Sequence, residues 1–161
     1  MLKGRLGRFG TAISIVDEAT IKLRVLPNDL DLNRHLNNGR YATMMDIGRL
    51  SLMQRCGVLR QVRKNGWYAV VSACNIQFKR PIKLFQEIEL TTQLVSWNDR
   101  SFVLKQIFRC NGKECAVGWV KGQLRRGNRA VPINEVFGAI HFSGKSPDIP
   151  AELPWDAPRA A

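Results

Sequence analysis

The order of periodic segments in this chain predicts an α+β fold, with one long helix wrapped by an antiparallel sheet of about five strands. Two observations carry that reading. Residues 38–56 place Tyr41, Met44, Met45, Gly48 and Leu52 on one helical stripe, while Ile47 and Leu50 lie off it. A helix that is apolar over more than one face suits a largely enclosed position. From Trp67 onward the period changes to two, through four successive segments joined by tight turns. A long apolar helix followed by such a meander is most simply wrapped by it.

The elements follow in order. Residues 1–19 mix glycine with Lys3, Arg5 and Arg8 before reaching Ile13, Ile15 and Val16, and form a short helix or an arm over the surface. Thr20–Leu26 alternates and carries enough β-branching for a strand, which Pro27 ends. Asn37 or Asn38 supplies an N-cap for the long helix, and Gly57 stops it. Gly48 lowers helix propensity in mid-helix but lets another backbone come close. Asp46 and Arg49 are spaced for an intrahelical pair that only solvates the surface. Val58–Lys64 reads as a second, short helix ended by Gly66. The four strands are Trp67–Lys79, Glu87–Trp97, Ser101–Cys110 and Glu114–Arg126, with Asn98-Asp99-Arg100 and Asn111-Gly112 as turns. Gly127-Asn128 closes the last strand, and Pro132–Ile140 reads as a short helix. Residues 143–161 hold four of the seven prolines and read as an extended or disordered tail. The chain thus divides into an arm (1–19), one domain (20–142) and a Pro-rich tail (143–161).

At 161 residues the chain can bury a core, and 45% hydrophobic with 24% charged residues is ordinary for a globular protein. The charge balance is not ordinary. Lys+Arg 25 against Asp+Glu 13 gives +12, so an anionic partner is expected: nucleic acid, an acidic membrane surface or a phosphorylated substrate. No recognised nucleic-acid module or aromatic stacking motif accompanies the charge, so nucleic acid is not expected. Cys56, Cys74, Cys110 and Cys115 form no Cys-x-x-Cys pair, which fits reduced thiols in the cytoplasm. No apolar run is long enough to span a bilayer, and the basic N-terminus lacks the apolar core of a signal peptide. His35 and His141 give no metal-ligand spacing, so no metal is expected. There is no Gly-x-Ser-x-Gly elbow and no Walker loop.

The chemistry concentrates in Asp29–Tyr41, Asp-Leu-Asp-Leu-Asn-Arg-His-Leu-Asn-Asn-Gly-Arg-Tyr. Asp31, Asn33 and His35 fall at alternate positions, which in an extended segment share one side. They stand just ahead of a helix N-terminus, whose free N–H groups favour developing negative charge. A carboxylate, an amide and an imidazole there suit acyl transfer. Asp31 can act as base or nucleophile. The backbone N–H groups of Asn38 and Gly39 can hold an oxyanion. A capping or turn carboxylate is the competing role for Asp31. His35 can instead hydrogen-bond the backbone, Asn33 can hold the loop, and Tyr41 can belong to the core or to an acyl pocket. Lys79 and Arg80, with Lys121, Arg125, Arg126 and Arg129, form basic strand ends. These are either solvated or a cradle for phosphates.

The element order and Asp31-Leu-Asn-Arg-His35-Leu-Asn-Asn-Gly-Arg-Tyr41 resemble the hotdog-fold thioesterase superfamily, in its 4-hydroxybenzoyl-CoA thioesterase-like branch and the plant acyl-carrier-protein thioesterases. Leu84-Phe85, Trp97-x-Asp99-Arg100-x-Phe102 and Gly57-Val58-Leu59 are similar to a thioesterase-like group whose vertebrate member is membrane-associated. The resemblance covers about residues 20–138. It implies an acyl-CoA thioesterase, with acyl carrier protein as a second possible thioester donor. Coenzyme A would enter as part of the substrate, without a separate cofactor. It further implies a homodimer with sites between subunits; whether dimers pair into tetramers stays open. Asp31 matches the catalytic aspartate of the bacterial enzymes, and Asp31, Asn33 and His35 all match active-site residues of the plant enzymes. The further glutamate of the plant enzymes falls at Pro81 here, which leaves Asp31 the principal candidate. Two rival readings are a hotdog hydratase, whose Asp-x-Asn-Pro-x-His pattern sets the histidine one residue later, and a non-catalytic acyl-thioester binding protein.

Overall fold

The computed structural model describes residues 10–148, 150, 153 and 154. Five main strands and one short one form a single antiparallel sheet. They are β1 (Ala19–Arg24), β2 (Tyr68–Phe78), β3 (Glu87–Trp97), β4 (Phe102–Cys110), β5 (Lys113–Arg126) and β6 (Arg129–Ala130), in the order β1-β3-β4-β5-β2 with β6 on β5. The helices are α1 (Asn38–Arg55), α2 (Val58–Asn65) and α3 (Ile133–Ala139). The long helix and meander therefore stand as the periodicity predicts. The two-residue β6 has no counterpart in the sequence reading, because two residues carry no period.

The α1 stripe is buried as expected: Tyr41, Met44, Met45, Gly48 and Leu52 all face the sheet. Gly48 is required by contact. A Cβ there would stand 2.7 Å from Thr92 Oγ1 and 2.8 Å from Gln106 Nε2. The close neighbour is therefore a pair of sheet side chains rather than another backbone. Gln106, fully buried, donates from Nε2 to the Met45 carbonyl (2.9 Å) and to Thr92 Oγ1 (2.9 Å). Its Oε1 accepts from the Arg49 guanidinium at 2.9 Å. Arg49 also meets Asp46, as the spacing predicts, but its side chain is only 15% exposed. Its role is to satisfy a buried amide rather than to solvate a surface.

The enclosed position expected for α1 is only partly realised. Ile47 and Leu50 remain 37% and 41% exposed. Separately, β2 is a sheet edge whose Val71 and Phe78 are 47% and 49% exposed. At the other end of the chain, the arm runs over α1, with Ile13 N–H donating to the Arg55 carbonyl at 3.3 Å. The described part of the tail is irregular but anchored. Ser146 Oγ accepts from the Trp97 N–H (2.9 Å), and Leu153 packs against the cluster of Val103, Val117 and Trp119. Residues 1–9 and most of 149–161 lie outside the described residues.

Candidate active site

The Asp31–His35 segment is a tight turn rather than an extended strand. Asp31 Oδ1 accepts from the backbone N–H groups of Asn33 (2.8 Å) and His35 (3.1 Å). Asp31 N–H donates to the His35 carbonyl (2.8 Å), and Arg34 N–H donates to the Asp31 carbonyl (3.1 Å). Arg34 enters the left-handed region at φ 60° to close the loop, and Leu30 bridges Leu36 across its base. A short carboxylate capturing N–H groups two and four residues on is what turns the chain here. Alternation therefore does not put the three polar side chains on one side. Leu32 projects fully into solvent at the tip, and Asn33 is exposed beside it.

Asp31 and His35 nevertheless meet in one cleft of about 260 Å³, lined also by Leu36, Asn38, Tyr41, Phe78, Lys79, Arg80 and Pro81. Asn33 and Gly39 are not among its walls. Asn37, not Asn38, caps α1, its Oδ1 accepting from the Gly39 N–H at 2.8 Å. Gly39 is thus removed as an oxyanion donor. The Asn38 N–H has no acceptor among the described residues, and Asn38 lines the cleft. Asp31 Oδ2 likewise carries no hydrogen bond among the described residues. The cleft therefore joins a carboxylate oxygen with a lone pair to offer and a free amide at a helix N-terminus.

Tyr41 belongs both to the core and to the cleft. Its ring meets Phe78 and Phe108 edge-on, with centroids 4.9 and 5.0 Å away. Burial, with the Cys115 and Cys110 thiols nearby, pushes its phenol up to about 12. The hydroxyl is therefore a standing hydrogen-bond donor at neutral pH, and no side chain or backbone group among the described residues takes its bond.

The loop is held from behind by a pair that the sequence reading did not single out. Asp29 is buried, and its Oδ1 accepts from Arg40 Nε at 2.7 Å, with a second guanidinium nitrogen also at 2.7 Å. Asp29 Oδ2 accepts from the Leu26 N–H (2.9 Å), and its carbonyl accepts from the Asn37 N–H (2.9 Å). One residue thus ties the strand exit, the turn and the helix cap together. The signal was an Asp two residues before Asp31 and an Arg in the helix's first turn; neither breaks a pattern, so periodicity is silent on them. Phe78 was missed for a similar reason, as an ordinary strand residue whose ring closes the cleft.

The basic residues separate into two groups. Lys79 and Arg80 line the cleft and are pinned by Glu114: Lys79 Nζ lies 2.7 Å from its carboxylate, and Arg80 donates to its carbonyl at 2.7 Å. The Lys79 hydrogen bond holds the Glu114 carboxyl below the usual range. Arg125 and Arg126 are at the other end of β2, since Phe78 pairs with Ala116 and Tyr68 with Arg125. The ten steps between Tyr68 and Phe78 span about 33 Å. Arg125 donates to the Asn128 carbonyl (2.6 Å), and Arg126 pairs with Glu135 and lies over the Trp67 ring. Within one chain the expected cradle is therefore split. Pro81 lines the cleft at the position of the plant enzymes' further glutamate, and among the described residues Asp31 is the only carboxylate in its walls. No group of metal-ligating side chains occurs among the described residues. No helix among them is long and apolar enough to cross a membrane.

Similar architecture occurs in solved proteins. The fold matches the probable thioesterase YbaW of Escherichia coli with a TM-score of 0.69 at 22% identity, over 74% of this chain and 93% of that one. It matches 4-hydroxybenzoyl CoA thioesterase of Pseudomonas sp. strain CBS-3 with a TM-score of 0.68 at 15% identity, over 76% and 98%. These likenesses establish the hotdog fold. In sequence, the chain is 34% identical over 84 residues to Protein THEM6 of Xenopus laevis, covering 52% of this chain and 41% of that protein. It is 28% identical over 153 residues to Protein THEM6 of Drosophila melanogaster, covering 93% and 76%. It is 27% identical over 86 residues to the long-chain acyl-CoA thioesterase FadM of Escherichia coli, covering 53% and 65%. The matches to the Xenopus and Danio proteins span less than half of those proteins' length, 41% and 46%. The family model described as the thioesterase-like superfamily matches residues 25–153. With that match spanning most of the chain, from the turn and the cleft to strands β2–β6, this protein belongs to the thioesterase-like superfamily.

Proposed function

We propose that this protein hydrolyses acyl thioesters, with acyl-CoA as substrate and acyl carrier protein as a second possible donor. The observation that carries the reading is the meeting of Asp31, Asn38 and Tyr41 in the walls of one cleft, on a chain of this superfamily. The carbonyl carbon sits over Asp31 with its oxygen toward the Asn38 amide. In the base mechanism Asp31 takes a proton from water as the hydroxide oxygen attacks that carbon. The oxyanion then collapses, the C–S bond breaks and the proton passes to the departing thiolate, leaving free acid and thiol. As nucleophile, Asp31 instead forms an anhydride that water opens. Both routes gain from an oxyanion donor at a helix N-terminus.

The working unit in this reading is a homodimer. β2 leaves a row of unpaired backbone groups at a sheet edge, with Val71 and Phe78 exposed along it. An isologous pairing of β2 with the β2 of a second copy closes that edge. Antiparallel pairing also sets the Phe78 end of one strand beside the Tyr68 end of the other. The Lys79 and Arg80 of one copy then approach the Arg125 and Arg126 of the second, reuniting the cradle. Light scattering at micromolar concentration tests the assembly, and a fully active monomer would contradict it. Release of free thiol across a set of acyl-CoA chain lengths tests the activity. One observation favours a binding protein instead: Asp31 Oδ1 is spent on its own turn. Tight acyl-CoA binding with no thiol release is that reading's outcome.

A further inference from the structure

A second cavity, of about 100 Å³, shares no wall residue with the cleft. It lies between the C-terminal half of α1 and the sheet, with α3 as its roof. Leu52 and Met53 form one wall, Leu94 and Leu104 another, and Val136 and Phe137 close it. Among the described residues Arg49 is its only charged wall residue, and its guanidinium bonds Gln106 and Asp46. The Cys56 thiol at its edge donates to the Met53 carbonyl. The wall surface is almost entirely apolar, so a hydroxyl or carboxylate buried there would meet little that could pair with it.

Its mouth is at Ala69 and Val71, exposed on the β2 edge. Within one chain the mouth is remote from Asp31, because the fourteen residues from Asn38 to Leu52 carry α1 about 21 Å. Pairing β2 with a second β2 changes this: the cleft of each copy then faces the cavity mouth of the other.

We infer that the acyl group of the substrate is a short, unsubstituted hydrocarbon lodged in this cavity of the second copy; the inference rests on the thioesterase and dimer readings above. An apolar cavity of about 150 Å³ takes benzene, so about 100 Å³ takes about four carbon atoms. Butyryl and branched groups of that size fill it. A hydroxylated aromatic acyl group is excluded by polarity, and a long chain by length.

The test uses the full chain and a series of acyl-CoA thioesters from acetyl to palmitoyl, with isobutyryl-CoA and 4-hydroxybenzoyl-CoA added. The expected kcat/KM peaks near butyryl and isobutyryl and is lower by at least about tenfold for palmitoyl and 4-hydroxybenzoyl, the scale of discrimination a hydrophobic pocket achieves. Met53→Ala, at a half-buried wall position, moves the optimum to longer chains; Val136→Phe moves it to acetyl. Mixing Asp31→Asn with Val136→Phe at equal amounts and allowing exchange returns about a quarter of the wild-type rate on butyryl-CoA, since half the dimers carry one intact composite site. An optimum at palmitoyl that Met53→Ala leaves unmoved overturns the inference, as does a mixture of folded, exchanging dimers that returns no rate. If no acyl-CoA is cleaved at all, the hydrolase reading falls separately. Equilibrium binding then decides: butyryl-CoA held tighter than coenzyme A by wild type but not by Val136→Phe supports the cavity, and equal affinities overturn it.

Discussion

Arg40 grips the buried carboxylate of Asp29 at 2.7 Å, and through it one turn of α1 is fastened to the loop that carries Asp31. The same carboxylate caps the Leu26 N–H. Replacing Arg40 by Met leaves a buried anion with one backbone donor, at a cost of about 3 kcal/mol or more. The melting temperature falls, and turnover falls more than stability alone accounts for, because the cleft loop loses its anchor. A melting curve beside a rate on one acyl-CoA checks both.

Gly48→Ala is expected to destabilise strongly. The added methyl would press on Thr92 Oγ1 and Gln106 Nε2, inside 3 Å of each, and the Gln106 amide bridges α1 to the sheet. Overpacking of this kind costs about 1–3 kcal/mol. Denaturant titration at neutral pH measures it directly.

Tyr41 links the fold to alkaline pH. Burial raises its phenol from the ordinary value of 10.0 to about 12 in the folded chain, so the native state holds a proton that the unfolded state releases. Stability from this group is complete below the unfolded pKa and is lost as pH rises toward the folded one. Cys110, also pushed up to about 12 by burial and then by Cys115, acts in the same direction. Tyr41→Phe is expected to flatten part of the stability loss above about pH 10. It should also lower turnover, since it removes a donor at the cleft. Equal alkaline slopes in the two proteins would remove Tyr41 from this account.

Much of the fold was legible in the sequence because periodicity reports burial. The α1 stripe, the switch to period two at Trp67 and the Asn111-Gly112 turn all describe which faces are apolar and where the chain reverses. The local form of the Asp31 loop was not legible. Alternation of Asp31, Asn33 and His35 mimics a strand, yet the carboxylate folds back on its own N–H groups and makes a turn. The cap illustrates the same limit, as Asn37 and Asn38 are equivalent in sequence and only the Gly39 N–H distinguishes them. Ile47 and Leu50 read as enclosed yet stand exposed, because periodicity shows which residues are apolar but not which helix face the sheet covers. The Lys79–Arg80 and Arg125–Arg126 groups sit on neighbouring strands, but antiparallel order puts them at opposite ends. Composition sees charge, not register.

Screening gives a further outcome. If cations of two copies hold the phosphates of coenzyme A, affinity falls between low and physiological ionic strength, where the Debye length is about 8 Å. Arg125→Ala weakens binding with little effect on the melting curve. An affinity flat in salt contradicts the cradle.

The most direct measurement is turnover by Asp31→Asn beside its melting curve and its affinity for acyl-CoA. The asparagine oxygen still accepts from the Asn33 and His35 N–H groups that shape the turn, so the fold and the affinity are retained. The base or nucleophile is gone, and the rate is expected to fall by at least about 10²-fold. Wild-type turnover in a folded Asp31→Asn protein would contradict the assignment of Asp31 as the reacting carboxylate.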